Sequence, residues 1–171
     1  MISNDEIKNL SRKFDIDEAT LLREYFEVLF LTNLYSFKES SKILFKGGTS
    51  LRLLLNSFRF SEDLDFTSLL ENNELISVIE KTYKKMKNFI TNINLKNIEK
   101  KRDSMITYLS YQEKNMKFPL NIHIEFSTRE KPLTIKETIL ITPYPVILYP
   151  FIVHLDWEEI LAEKIRALLK R

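Results

Sequence analysis

Along the chain, apolar residues change their spacing several times, and each change marks a new element. Between Asp17 and Phe37, Leu21, Leu22, Tyr25, Phe26, Leu29 and Phe30 recur at helical spacing, with Asp17 or Thr20 available as a cap. Lys38 to Ser41 is a polar connection, and Ile43 to Lys46 is a short apolar run that reads as a buried strand. The chain's only two glycines, Gly47 and Gly48, follow at once and lead into a short helix over Ser50 to Asn56. Residues 71–90 repeat the helical pattern through Leu75, Ile76, Val78, Ile79, Tyr83, Met86 and Phe89.

After residue 90 the period falls to two. Ile93 to Leu95, Met105 to Tyr111 and Leu120 to Ser127 read as successive strands, antiparallel because the links are short. Thr138 to Val146 is expected to add a further or edge strand, where proline is tolerated, and a last helix starts near Asp156. Strand, glycine turn, helix and strand form the start of an α/β domain, and no repeat or linker divides it. The expected fold is α/β (α+β): a mixed β-sheet packed against helices, as one domain over residues 1–171.

Composition narrows the partners only slightly. With 26 basic and 24 acidic residues the net charge of +2 gives no strong field, so binding to nucleic acid does not follow from charge alone. The absence of cysteine removes disulfides and thiolate metal sites and suits a reducing cytoplasm. The longest apolar run, Ile139 to Leu155, is broken by Pro143, Pro145 and Pro150, so it reads as strand and turn rather than as a membrane span. Lysines at 81, 84, 85 and 87, and at 96, 100 and 101 with Arg102, could contact an RNA backbone or simply be solvated faces, and Tyr108 and Tyr111 offer stacking surfaces.

Candidate chemistry gathers around Lys46-Gly47-Gly48-Thr49-Ser50 and the segment Arg59-Phe60-Ser61-Glu62-Asp63-Leu64-Asp65. A Gly-Gly step lets backbone N–H groups approach an anion, and the helix behind it aims its positive end at the same place. Two residues apart on a strand, Asp63 and Asp65 leave the same face, a spacing that suits a divalent cation. Glu125 is the candidate third ligand, since alternation with Ile122, Ile124 and Phe126 puts it on one face with Asn121, His123 and Ser127. Adjacent Glu62 should point the other way and act as a structural or ion-pair residue. In the last helix, Trp157, Leu161, Lys164 and Leu168 fall in one stripe opposite Glu159, Glu163, Arg166 and Lys170, which predicts that Lys164 faces inward and either snorkels out along its stem or meets an anion.

These segments, with Asn121 to Ser127 and Glu158 to Leu169, resemble in order the signature of the nucleotidyltransferase superfamily and, more closely, the AbiEii/AbiGii toxin family, to which the MenT toxins are related. The resemblance implies metal-dependent transfer of a nucleotide from a nucleoside triphosphate (NTP) to an acceptor, with magnesium or manganese as cofactor. It further implies that the acceptor is tRNA or another RNA and that a cognate antitoxin exists. Asp63, Asp65 and Glu125 would hold the metal and, with Lys164, form the catalytic set. Lys46, Gly47, Gly48, Thr49, Ser50, Arg59 and Lys164 would bind the nucleotide. Proteins similar to this family continue past the last helix into a further helical part, which the sequence to Arg171 lacks. An antibiotic-type small-molecule nucleotidyltransferase and a non-catalytic nucleotide- or protein-binding module are the alternatives.

Overall fold

A computed structural model describes residues 1–114 and 116–169. The chain opens on a helix that the apolar pattern above does not reveal, α1 (Asn4–Phe14), started by a reciprocal cap between Ser3 and Glu6 and ended at Asp15 in the left-handed region. The next helix, α2 (Glu18–Leu34), begins where the Asp17 side chain accepts the N–H of Thr20 at 2.9 Å. After a 3-10 turn come β1 (Ile43–Lys46), α3 (Gly47–Leu55), β2 (Asp63–Ser68) and α4 (Asn72–Lys87). The antiparallel run follows as β3 (Ile93–Leu95), β4 (Glu99–Lys100), β5 (Ser104–Tyr111) and β6 (Leu120–Ser127).

The end of the chain departs from expectation. Strand β7 (Ile135–Ile139) lies before the prolines, and β8 (Phe151–Leu155) lies after them. Residues 140–150, most of the segment expected as a strand, form the connection between the two. Three prolines within it remove ladder donors, so the hairpin forms on either side of them. Helix α5 (Trp157–Leu169) closes the described part.

The eight strands form one mixed sheet in the order β3-β5-β6-β2-β1-β8-β7, with β4 paired to β5. Strand β2 runs antiparallel to β1 and parallel to β6. Alternation therefore sorts its residues cleanly: Leu64 and Phe66 join Phe45, Ile122, Ile124 and Phe126 in the core under Phe26, Phe30 and Leu34 of α2 and Leu75 and Ile79 of α4. Phe66 is its centre, stacked on Phe126 at 4.8 Å and 13°, with Phe45 at 5.3 Å and Phe30 at 6.4 Å. Truncating such a ring to alanine costs about 3–5 kcal/mol. The odd-numbered partners, Asp63, Asp65 and Glu125, consequently lie on the opposite, open face.

Candidate active site

On that open face the register sets Asp65 beside Glu125 on one side and Lys46 on the other, with Asp63 beside His123. The turn after β1 completes the cluster. Gly47 has φ +82, and a Cβ on it would overlap the Asp65 carboxylate, with Asp65 Cβ at 2.8 Å, so both its conformation and its closeness exclude a side chain. A Cβ on Gly48 would come within 2.8 Å of Ser61 Oγ. Helix α3 starts at Gly47, three residues earlier than the expected Ser50, and no side chain caps its N-terminus. Thr49 and Ser50 are buried and spend their hydroxyls on the backbone: Thr49 donates to Asp63 O at 2.5 Å, and Ser50 to Gly47 O at 2.9 Å. The turn is thus stitched to the strand that carries the aspartates.

The carboxylates perturb one another as neighbouring like charges must. Burial pushes the Asp65 carboxyl up to about 6, and Asp63 and Glu125 push the same way against Lys46 and His123. His123 Nδ1 is 3.6 Å from Asp63 Oδ1, so this histidine borders the site. Among the described residues no three carboxylate or imidazole side chains stand close enough to share one ion. The donor chemistry nevertheless fits magnesium, which takes one or two carboxylates and completes its shell with water and phosphate oxygens. A half-buried carboxylate held near two others is in electrostatic deficit, and a cation relieves it.

From Asp65 and Glu125 an open trough of about 940 Å3 extends beneath α5 and the connection after β6. Beside Lys46, its walls hold Arg129 and Glu130, which the sequence did not single out, and Glu163 and Arg166 from the charged side of α5. Lys46 Nζ lies 2.6 Å from Glu130 and 3.1 Å from Glu163, while Glu130 also meets Arg129 at 2.6 Å and Arg166 at 3.1 Å. Burial would raise the Glu130 carboxyl, but hydrogen bonds and charge from Arg129 and Lys46 outweigh it and hold it at about 2. At Glu163 burial prevails over Lys46, and its pKa is raised. Glu159 accepts the N–H groups of Leu133 and Thr134 at 3.0 and 3.1 Å, fastening the connection to α5. The signal available was the charged run Thr128 to Lys131 directly after the Glu125 strand, together with Glu163 and Arg166 one helical turn apart.

Helix α5 corrects the periodicity argument. Its anchor is Ile160, 4% exposed, packed with Leu44, Val153 and Leu155. That contact turns Glu159, Glu163 and Arg166 toward the trough and leaves Trp157, Leu161 and Leu168 at 52%, 48% and 68% exposure. Lys164, on the same stripe, is exposed and does not line the trough. The apolar stripe failed as a guide because the surface under α5 is a polar site. Lys170 lies outside the described residues. Arg59 is exposed ahead of β2. Its loop is braced instead by Arg23, paired with Glu62 at 2.6 Å, and by Arg52, which bonds Glu24 at 2.8 Å and Ser57 O at 2.9 Å and covers the Phe60 ring at 4.0 Å.

Strand order and open acidic face together define a nucleotidyltransferase fold. A proposed nucleotidyltransferase from Helicobacter pylori has a similar structure, with a TM-score of 0.61, 23% identity, and 88% of this chain and 59% of that one covered. MenT4, a nucleotidyltransferase toxin from Mycobacterium tuberculosis, gives 0.58, 21% identity, and 86% and 52% coverage. The chain therefore spans little more than half the length of either. No curated protein matches it. The family model for the nucleotidyl transferase AbiEii toxin of type IV toxin–antitoxin systems matches residues 29–171, and the chain belongs to that family.

Proposed function

We propose that this chain transfers a nucleotide from an NTP to an acceptor hydroxyl, with tRNA or another RNA as acceptor, as the cytoplasmic toxin of a pair with an antitoxin. The observation that carries this reading is the placement of Asp65, beside Glu125 in the strand register, two residues from Asp63, and against a Gly-Gly turn that opens a helix. Backbone N–H groups of that turn receive the phosphates, and the dipole of α3 favours their charge. Asp65 with one neighbouring carboxylate, Asp63 or Glu125, would hold a divalent ion, magnesium or manganese, with water and phosphate oxygens completing its shell. When bound, the ion supplies charge neutralisation on the entering and leaving oxygens. Lys46 adds positive charge at the floor of the trough, and its pairing with Glu130 and Glu163 fixes its position before nucleotide arrives. The roles of Arg59 and Lys164 rest on the family resemblance.

A small cationic acceptor would need uncompensated acids in the trough. Glu130 and Glu163 are instead matched by Lys46, Arg129 and Arg166, which favours an anionic substrate. The test is incubation with each α-labelled NTP, magnesium and total RNA. Label should move to RNA from wild type and not from Asp65→Asn, and label moving to neither RNA nor any other acceptor would remove the proposal. No helix of the described residues is long and apolar enough to cross a membrane.

A further inference from the structure

The carboxylates divide the open face of the sheet into two parts. On the α5 side lies the charged trough. On the other side β5 and β6 turn Tyr108, Ser110, Asn121 and His123 to the same face beside a buried Ile106, and the register sets Tyr108 directly opposite His123, which is itself opposite Asp63. The Tyr108 and His123 rings are 5.1 Å apart at 53°, both half-buried, and Lys96 Nζ stands 5.3 Å from the Tyr108 ring centroid. Beyond them the β4 turn carries Lys100, Lys101 and Arg102, all exposed. An aromatic pair, a cation over its face and a basic turn, in line with the acids, are surplus to holding a triphosphate.

We propose that this surface receives the acceptor: an unpaired nucleic-acid end whose terminal base stacks on Tyr108 and His123. Its sugar hydroxyl then points to the Asp63–Asp65 edge, and its phosphates follow the basic turn. The inference rests on the proposed function and adds where the acceptor lies. Stacking suits a half-buried ring, because every base has an apolar face while the strand supplies the charge. Lys96, now lying on Tyr108, moves to the phosphate of the incoming nucleotide, exchanging one favourable contact for a stronger charge-assisted one. The trough and the platform flank the carboxylates, so donor and acceptor reach them from opposite sides, as in-line displacement requires.

The test uses short single-stranded RNA and DNA of one sequence, each ending in a fluorescent adenine analogue, titrated into the full chain. A separate titration of a non-hydrolysable NTP with magnesium is made on the same preparation. Binding of the strand should quench the terminal base. Tyr108→Leu should weaken strand affinity about tenfold or more, Tyr108→Phe should keep it, and Lys96→Met should lower the salt slope by about one contact. Tighter binding of RNA than DNA would identify the sugar as part of recognition, and equal binding would leave stacking and charge as the whole of it. If nucleotide binds but the strand neither binds nor quenches, or if Tyr108→Leu binds as well as wild type, the platform is wrong and the proposed function stands. If nucleotide fails to bind, the proposed function itself falls. Should Tyr108→Leu fail to fold, the exposed Lys96→Met and the wild-type quench decide the matter alone.

Discussion

Replacing Asp65 with asparagine should make the protein more stable while removing its function. In the folded chain the Asp65 carboxyl is pushed from 3.8 up to about 6, by burial first and then by Asp63 and Glu125. At 1.36 kcal/mol per pK unit, about two units correspond to about 3 kcal/mol of destabilisation once the group is ionised. The sign follows from linkage. A carboxyl with a raised folded pKa binds its proton more tightly in the folded state, so below 3.8 both states are protonated and no cost exists. The cost grows as pH rises toward about 6 and is complete above it. Asp65→Asn should therefore melt about 6–12 °C above wild type near neutral pH without divalent metal, at about 2–4 °C per kcal/mol for a chain of this size. The two proteins should converge in acid. Calorimetric or circular-dichroism melts across pH provide the measurement, with exposed Glu158→Gln as the control. A variant that is less stable than wild type at neutral pH, or a gain that does not change with pH, would refute the electrostatic account of the site.

Three further outcomes follow from other contacts. Gly47→Ala should destabilise by more than about 1 kcal/mol, because it meets both a positive φ and the Asp65 carboxylate, and denaturant titration would show it. Glu130→Gln should cost about 1–3 kcal/mol near neutral pH through its cation partners. Because the Glu130 pKa is held at about 2, that stability is present above 4.5 and is lost as pH falls toward about 2, so melts of wild type and variant should approach each other there. Lys164→Met should leave stability within about 0.5 kcal/mol, as suits an exposed position, and should lower label transfer as the family resemblance implies. Unchanged transfer would take Lys164 out of the site.

The site's inner half was legible because two strong local rules act there. Strand alternation alone placed Asp63, Asp65 and Glu125 opposite Leu64, Phe66 and Phe126, and glycine is so scarce that a Gly-Gly step marks a backbone requirement. The outer half was not legible, for a physical reason specific to α5. A helix that packs by one residue, Ile160, against Leu44, Val153 and Leu155 can turn its charged side inward when that side meets ions, and Glu163 meets Lys46 from 117 residues away. No periodicity contains that pairing. The missed α1 has a different cause: Ile7 alone is buried along its length, and its Ser3–Glu6 cap is a local signal that outweighs its sparse apolar pattern.

The central claim is that the carboxylates beside the Gly-Gly turn bind nucleotide together with a divalent ion. Calorimetric titration of a non-hydrolysable NTP into wild type and Asp65→Asn, each with magnesium and with chelator, tests it most directly. Wild type should bind far more tightly with magnesium than with chelator, and Asp65→Asn should lose that difference while staying folded. Equal affinities for wild type with and without the metal, or an undiminished magnesium dependence in Asp65→Asn, would contradict it.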